Sequence, residues 1–254
     1  MPKAVFFGTS IPLLAEIHSC CELTAVVTEK SRLSDELADF CTTRKVQLLV
    51  ANKSGDIPLL DAEIGICFGF GLIFQTAFLE KNAYPIINIH PGSLKTNRGR
   101  HPLHWNIFLN ERDTHVVFHQ ITPNIDEGPV LLETSFLRNP DWSLSTLEDK
   151  VLSYAVHNIS QVIQDYLQSK REFPVTRDGA YRPRFNPPSD INPDQMDSRE
   201  LIALAKIQSK YGGLKVGSNF YIDAKLATPA FKESNWQVYK CKDNVFVALK
   251  EKEP

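Results

Sequence analysis

The sequence predicts an α/β protein, an open and mostly parallel Rossmann-like sheet with a small β-rich C-terminal module. Two patterns carry this expectation. In the N-terminal part, short apolar runs alternate with helix-patterned segments, as in a sheet with helical crossovers. Beyond a proline-dense stretch, the helix pattern gives way to several short strand-like runs.

The elements follow in order. Lys3–Gly8 is an apolar run that ends in Gly-Thr-Ser and reads as a buried strand entering a turn. Ile11–His18 has helical spacing, with Ser10 at the N-cap and Pro12 in the first turn. Glu22–Thr28 is a second strand, Leu33–Thr43 a helix, Val46–Ala51 a third strand, Ile64–Phe68 a fourth and Ile86–His90 a fifth. A helix over Pro102–Asn110 precedes strands at Thr114–Thr122 and Val130–Phe136, and Ser143–Ser169 is a long amphipathic helix. Pro174, Pro183, Pro187, Pro188 and Pro193 crowd the next segment, which reads as a linker. A helix over Asp197–Ser209 and strands at Phe220–Ile222, Leu226–Ala227, Trp236–Cys241 and Val245–Leu249 make up the last part. The expected organisation is a catalytic domain over 1–172, a linker over 173–193 and a module over 194–254.

Composition narrows the function classes. The 254 residues carry a net charge of −2, with 43% apolar and 23% charged residues. Without a basic excess, bulk attraction to nucleic acid or an anionic membrane is not indicated. No apolar run approaches the roughly 18 residues a transmembrane helix needs, and the N-terminal run is too short for a secretory signal. Five cysteines, an odd number without a CxxC pair, fit a reduced, cytoplasmic protein. The turn after the first strand has a single glycine, Gly8, so a dinucleotide cofactor is disfavoured.

The chemistry gathers at the fifth strand. Asn88 and His90 lie two residues apart and share one strand face. In open parallel sheets the working residues collect at such carboxyl ends. Pro91, Gly92 and Ser93 turn the chain, and Gly99 between Arg98 and Arg100 gives a flexible, cationic loop. Asp126, in a loop closed by Gly128, supplies a carboxylate. An amide to hold a carbonyl oxygen, an imidazole to move a proton and a carboxylate to orient it suit acyl transfer. His101 and His104, and His115 and His119, have no glutamate completing a zinc motif, so no metal is expected. No GxSxG elbow is present.

These residues resemble the folate-dependent formyltransferases, a family that includes methionyl-tRNA, glycinamide ribonucleotide and sugar-nucleotide formyltransferases. Val5-Phe-Phe-Gly-Thr-Ser10 resembles the family's opening strand and turn, and Phe68-Gly-Phe70-Gly71 its turn after the fourth strand. Asn88-Ile-His90-Pro-Gly-Ser93-Leu94, then Arg98-Gly99, resembles its Asn-x-His and glycine loop, and Asp126-Glu-Gly128 its Asp-x-Gly. The resemblance covers roughly residues 3–170. It implies the formyltransferase fold, 10-formyltetrahydrofolate as donor, a primary amine as acceptor, and Asn88, His90 and Asp126 as the catalytic residues. It places the folate against Phe68, Phe70, Gly71, Ile121 and Asp126. The acceptor then falls to Ser93, Lys95, Arg98, Gly99, Arg100 and Tyr211. Asn88 and a protonated His90 would donate to the developing oxyanion.

Two departures stand out: Ser93-Leu94-Lys95-Thr96 where Ser-Leu-Leu-Pro is common, and Glu127 where threonine is common. The chain is shorter than a typical methionyl-tRNA formyltransferase, Glu29–Val46 has no long basic insertion, and the C-terminal charges alternate in sign, all of which disfavour tRNA. The added C-terminal region disfavours glycinamide ribonucleotide. A nucleotide-linked deoxy-amino sugar, used in surface-polysaccharide synthesis, is the acceptor that this comparison favours. A methionyl-tRNA-type acceptor and a non-catalytic folate- or sugar-binding relative are the alternatives. Exposed strand edges in the C-terminal module would suit a homodimer.

Overall fold

The computed structural model describes residues 1–168 and 178–253. Ser169, the expected boundary at 172 and the first linker residues 173–177, with Pro174, lie outside the described residues. By contacts the chain forms two compact units. One comprises Met1–Arg98, His115–Ser135 and Val151–Tyr181, the other Gly99–Thr114, Phe136–Lys150 and Arg182–Pro254.

The first five strands are β1 (Lys3–Gly8), β2 (Glu22–Glu29), β3 (Gln47–Ala51), β4 (Ile64–Phe68) and β5 (Ile86–His90). Between them lie α1 (Ile11–Cys20), α2 (Asp35–Arg44) and α3 (Thr76–Lys81). After β6 (Arg98–Gly99) and α4 (Pro102–Phe108) come β7 (Asp113–Gln120), β8 (Val130–Leu137) and the long α5 (Leu144–Gln168). The seven-stranded sheet has the order β3-β2-β1-β4-β5-β7-β8. Strands β1 to β5 pair in parallel, and β7 joins β5 antiparallel. This is the mostly parallel α/β sheet that the sequence predicts.

Local rules explain the elements. In β1 all residues from Ala4 to Gly8 are buried, the continuous apolar pattern of a central parallel strand. Helix α1 buries Leu13, Leu14 and Ile17, with Ser10 at the N-cap position but its hydroxyl uninvolved in a cap bond. Helix α2 starts two residues later than its apolar pattern suggests, because the Ser34 hydroxyl accepts from Leu37 N at 3.3 Å. The six-residue α3 escaped the periodicity reading, being too short to show a repeat. In α5, Ser160 donates to Glu16 Oε1 at 2.5 Å and Tyr166 to Gln120 Oε1 at 3.2 Å. These bonds hold its C-terminal half against α1 and the end of β7.

The carboxyl ends of β1 and β4 meet closely. Gly8 pairs with Phe68, has φ +144°, and a Cβ there would stand 2.3 Å from Phe68 O. Under this junction Phe7 meets Phe74 edge-on at 5.0 Å, and Phe74 stacks on Phe78 at 5.6 Å.

In the second unit, α6 (Ser198–Gln208) buries Leu201, Leu204, Ala205 and Ile207. After β9 (Tyr181–Arg182), the strands β10 (Leu214–Val216), β11 (Asn219–Ala227), β12 (Trp236–Lys240) and β13 (Phe246–Glu251) form a sheet of order β10-β11-β13-β12. Its pairings are antiparallel. The two short runs expected around Ile222 and Leu226 are one strand, β11. A register shift between Tyr221 and Asp223 breaks its alternation and hid its continuity. Asp197 stands at the N-cap position of α6, and Asp243 accepts from both Ser198 N at 3.2 Å and Ser198 Oγ at 2.7 Å. Among the described residues no helix is long and apolar enough to cross a membrane.

Gly8→Ala, which puts a methyl group against the Phe68 carbonyl, is expected to destabilise the protein by about 3 kcal/mol or more. Equilibrium urea unfolding of the two proteins checks this.

Candidate active site

Asn88 and His90 sit at the carboxyl end of β5, and the β7 register brings a third side chain to them. Asn88 pairs with His119 across the antiparallel ladder, and His90 with Val117. Asn88 Nδ2 lies 3.1 Å from His119 Nε2, and His119 Nδ1 lies 3.1 Å from Gln120 O. A carbonyl oxygen only accepts, so Nδ1 carries the hydrogen and bare Nε2 accepts from the Asn88 amide. One amide N–H of Asn88 is thereby committed, and the other has no hydrogen-bond partner among the described residues.

His90 is only 4% exposed. Its Nε2 is 2.7 Å from Asn97 O, so by the same logic Nε2 donates. Its Nδ1 faces Asp126 Oδ2 at 3.6 Å, too long for a hydrogen bond. Burial, first, pushes the His90 imidazole below its ordinary pKa, the Asp126 carboxylate opposes that, and His119 adds to it. The resting ring is therefore neutral, with its lone pair on Nδ1. Desolvation outweighs the carboxylate, so the protonated form of His90 expected to donate to an oxyanion is not the resting form. The ring can take a proton at Nδ1, and Asp126 stabilises the resulting imidazolium.

Asp126 is held by unusual backbone. Its φ is +53°, the left-handed region, which aspartate tolerates better than most residues. Its Oδ1 also stands 3.4 Å from His119 Nε2. Gly128 follows because a Cβ there would fall 1.7 Å from Gln120 O. The loop is thus pressed onto the end of β7, where Gln120 N donates to Pro129 O at 2.9 Å.

The loop after β5 is equally constrained. Asn97 N donates to Ser93 O at 2.8 Å, a turn that aims Asn97 O at His90. Ser93 is buried, and its hydroxyl accepts from Lys95 N at 3.3 Å. Arg98 is not an exposed loop cation. Its side chain is 3% exposed, with Nε donating to Leu94 O at 2.8 Å and Nη1 to Glu127 Oε1 at 3.0 Å. Glu127, the residue that departs from the common threonine, is the partner that makes this buried guanidinium tolerable. The pair ties the His90 loop to the Asp126 loop. Gly179 fits beside them because a Cβ would lie 1.9 Å from Leu94 O.

The other expected site residues fall as follows. Phe68 is half-buried at the end of β4, and half-buried Phe70 tilts against Phe7 at 5.7 Å and Phe74 at 5.5 Å, so it packs in the aromatic cluster. Gly71 is exposed, and its N–H donates to the Glu29 carboxylate. Ile121 packs against the same cluster, and its N–H donates to Ile86 O at 2.7 Å. Lys95 is exposed. Gly99, Arg100 and Tyr211 belong to the second unit, where Arg100 is exposed. There the Tyr211 hydroxyl meets His104 Nε2 at 3.0 Å, and the His104 and His101 rings stack at 4.5 Å. His101 has φ +62°. Sequence reasoning missed His119, weighed only as a metal ligand; its spacing of seven residues before Asp126 was the available signal. No group of three or more potential ligands suited to a metal ion occurs among the described residues.

A formyl transferase family model matches residues 24–163, more than half of the chain and all four clustered side chains. The chain belongs to the formyl transferase family. Among curated relatives it is 24% identical over 211 residues to methionyl-tRNA formyltransferase of Mycoplasma pneumoniae, covering 74% of this chain. It is 27% identical over 187 residues to the Mycoplasma genitalium enzyme, covering 67% of this chain. The aligned parts span only 64% and 60% of those two relatives. The fold is similar to WlaRD, a sugar 3N-formyl transferase solved with dTDP and 5-N-formyl-THF, at TM-score 0.81, 18% identity and coverage of 100% of this chain and 99% of that one. It is also similar to an N-formyltransferase from Helicobacter canadensis solved with folinic acid and dTDP-3-aminofucose, at TM-score 0.80, 17% identity and coverage of 99% and 100%.

Burial, first, and then the neighbouring His101 and Lys210 push the His104 imidazole down to about 4. A histidine whose folded pKa lies below the unfolded value of about 6.5 binds its proton more readily in the unfolded chain. Its contribution to stability is present above pH 6.5 and is lost as pH falls towards 4. Stability measured by urea unfolding should therefore decline over that window, and His104→Gln should flatten the decline.

Proposed function

We propose that this chain transfers a formyl group from 10-formyltetrahydrofolate to the exocyclic amine of a nucleotide-linked amino sugar. The observation that carries the reaction is the buried cluster in which Asn88 keeps an N–H for an oxygen and neutral His90 keeps a lone pair on Nδ1. The amine nitrogen attacks the formyl carbon, and the carbonyl oxygen becomes an oxyanion that the Asn88 amide holds. One such donor is commonly worth about 10²–10³ in rate. The attacking nitrogen passes its proton to His90 Nδ1, facing Asp126. Collapse of the intermediate breaks the bond to the folate N10, which takes a proton from the imidazolium, leaving the N-formylated amino sugar and tetrahydrofolate. The folate is assigned to the turn at Phe68, Phe70 and Gly71 and to Ile121, beside Asp126.

For the acceptor, coverage near 100% at both ends by sugar N-formyltransferases, against partial coverage of methionyl-tRNA formyltransferases, favours the sugar. The net charge of −2 also fits a small acceptor better than a tRNA backbone. A cytoplasmic homodimer serving surface-polysaccharide synthesis is consistent with such an acceptor. The curated relatives support the second reading, formylation of methionyl-tRNA.

Incubation with 10-formyltetrahydrofolate and a panel of dTDP- and UDP-linked amino sugars, followed by mass spectrometry, should yield one formylated sugar nucleotide. Formylated methionyl-tRNA with no sugar product would reverse the choice of acceptor. His90→Ala and Asp126→Asn should each lower kcat by about 10²-fold or more. His119→Leu, which frees the Asn88 amide, should lower kcat about tenfold with little change in the KM for folate. Because burial lowers the His90 pKa, the acidic limb of kcat/KM should fall below pH 6.5. A limb above pH 7 in the wild type would contradict a neutral resting imidazole.

A further inference from the structure

The second unit contains a cavity of about 320 Å³ that the proposed reaction does not use. One wall is a single face of α6: Arg199, Ile202, Ala203 and Lys206, at intervals of three, one and three residues. The C-terminal end of α4, the segment at Arg138–Asp141 and the β11 stretch around Lys225 supply the rest.

Its charge is one-sided. Four cations line it, Arg138, Arg199, Lys206 and Lys225, against one carboxylate, Asp141. Two of these cations are 7% exposed. Arg138 donates to Glu111 O at 3.0 Å and Asn110 Oδ1 at 2.7 Å, both neutral acceptors. Lys206 Nζ donates to Pro140 O at 2.5 Å, and its nearest carboxylate is Asp141 at 3.4 Å. The Asp141 side chain is 91% exposed, so water screens most of its charge. Arg199 is exposed and makes no ion pair among the described residues, and Lys225 is paired with Glu233, which does not line the cavity.

Holding guanidinium and ammonium groups out of water is unfavourable unless anions compensate them, and here Glu111 and the exposed Asp141 are the carboxylates near Arg138 and Lys206. Burial lowers the pKa of Arg138, and the Glu111 carboxylate, which does not line the cavity, opposes that. An anion seated among these groups would gain charge-assisted hydrogen bonds and restore the balance. Ile107, Ile202 and Ala203 add an apolar wall suited to the flat or carbon-rich part of a ligand. The volume is at the lower end of the range for small-molecule sites, too confined for a polymer.

We propose that this cleft binds a small phosphomonoester, a phosphate dianion carried on a sugar or nucleoside ring. The phosphate lies among Arg199, Lys206 and Arg138, and the ring against the α6 face. The site is distinct from the Asn88–His90–Asp126 cluster and does not depend on its chemistry.

Isothermal titration of the full chain with inorganic phosphate, ribose 5-phosphate and uridine 5′-monophosphate tests this. At least one of the two organic esters should bind more tightly than inorganic phosphate. Arg199→Glu and Lys225→Glu, both at exposed positions, should each weaken that binding at least tenfold or abolish one class of sites. Circular dichroism controls for folding, and formyl transfer to the acceptor should be unchanged. Affinity within twofold of wild type in the folded Arg199→Glu protein would overturn the proposal, as would no binding of any probe to the wild type. A protein inactive in formyl transfer that still shows the Arg199-dependent binding would sink the proposed activity and leave this site standing.

Discussion

The antiparallel pairing of β5 with β7 is the constraint on which the site depends. Parallel strands deliver Asn88 and His90 to a carboxyl end, but only an antiparallel neighbour in this register sets His119 opposite Asn88. Ile87 and Ile89 are buried on the alternate face of β5, so a slip of one residue would exchange the polar pair for the apolar one. The register is thus held by the core, and the geometry of the polar cluster is a by-product of hydrophobic burial. The ladder continues past the strand end through Ile121 N and Ile86 O, which fixes where the Asp126 loop begins.

Burial also sets the protonation state of His90. His90 and His119 are nearly inaccessible, and each donates one ring nitrogen to a main-chain carbonyl. These two carbonyls decide the tautomers: the bare nitrogen of His119 holds an amide, and the bare nitrogen of His90 is left to receive a proton. A carboxylate in direct contact with His90 would have favoured the imidazolium at rest. At 3.6 Å, Asp126 is close enough to stabilise the charge once formed and too distant to bind the ring. Neutral at rest and charged in passing is the behaviour a shuttle needs near neutral pH.

The sequence made the central features legible because they are local. An Asn-x-His at the end of an apolar run places two groups on one strand face, and the alternation of runs and helical segments declares the parallel sheet. Non-local features were harder to read. His119 looked like half of a spaced histidine pair, since nothing in a linear pattern says which strand lies beside β5. Arg98 read as a loop cation because its partner, Glu127, is twenty-nine residues away and departs from the common residue there. The break in β11 came from a bulge, which erases the period-two signal where the strand continues.

The same distinction separates reaction from acceptor. The family match at 24–163 contains Asn88, His90, His119 and Asp126. It stops short of α6 and the β10-β11-β13-β12 sheet. Those elements can diverge without disturbing the β5–β7 register, because each unit has its own buried core. Sequence likeness dominated by the sheet therefore points to one set of relatives, while a fold likeness spanning the full chain points to another. The second comparison takes in the elements that the family match leaves out, and at 17–18% identity it speaks to their fold.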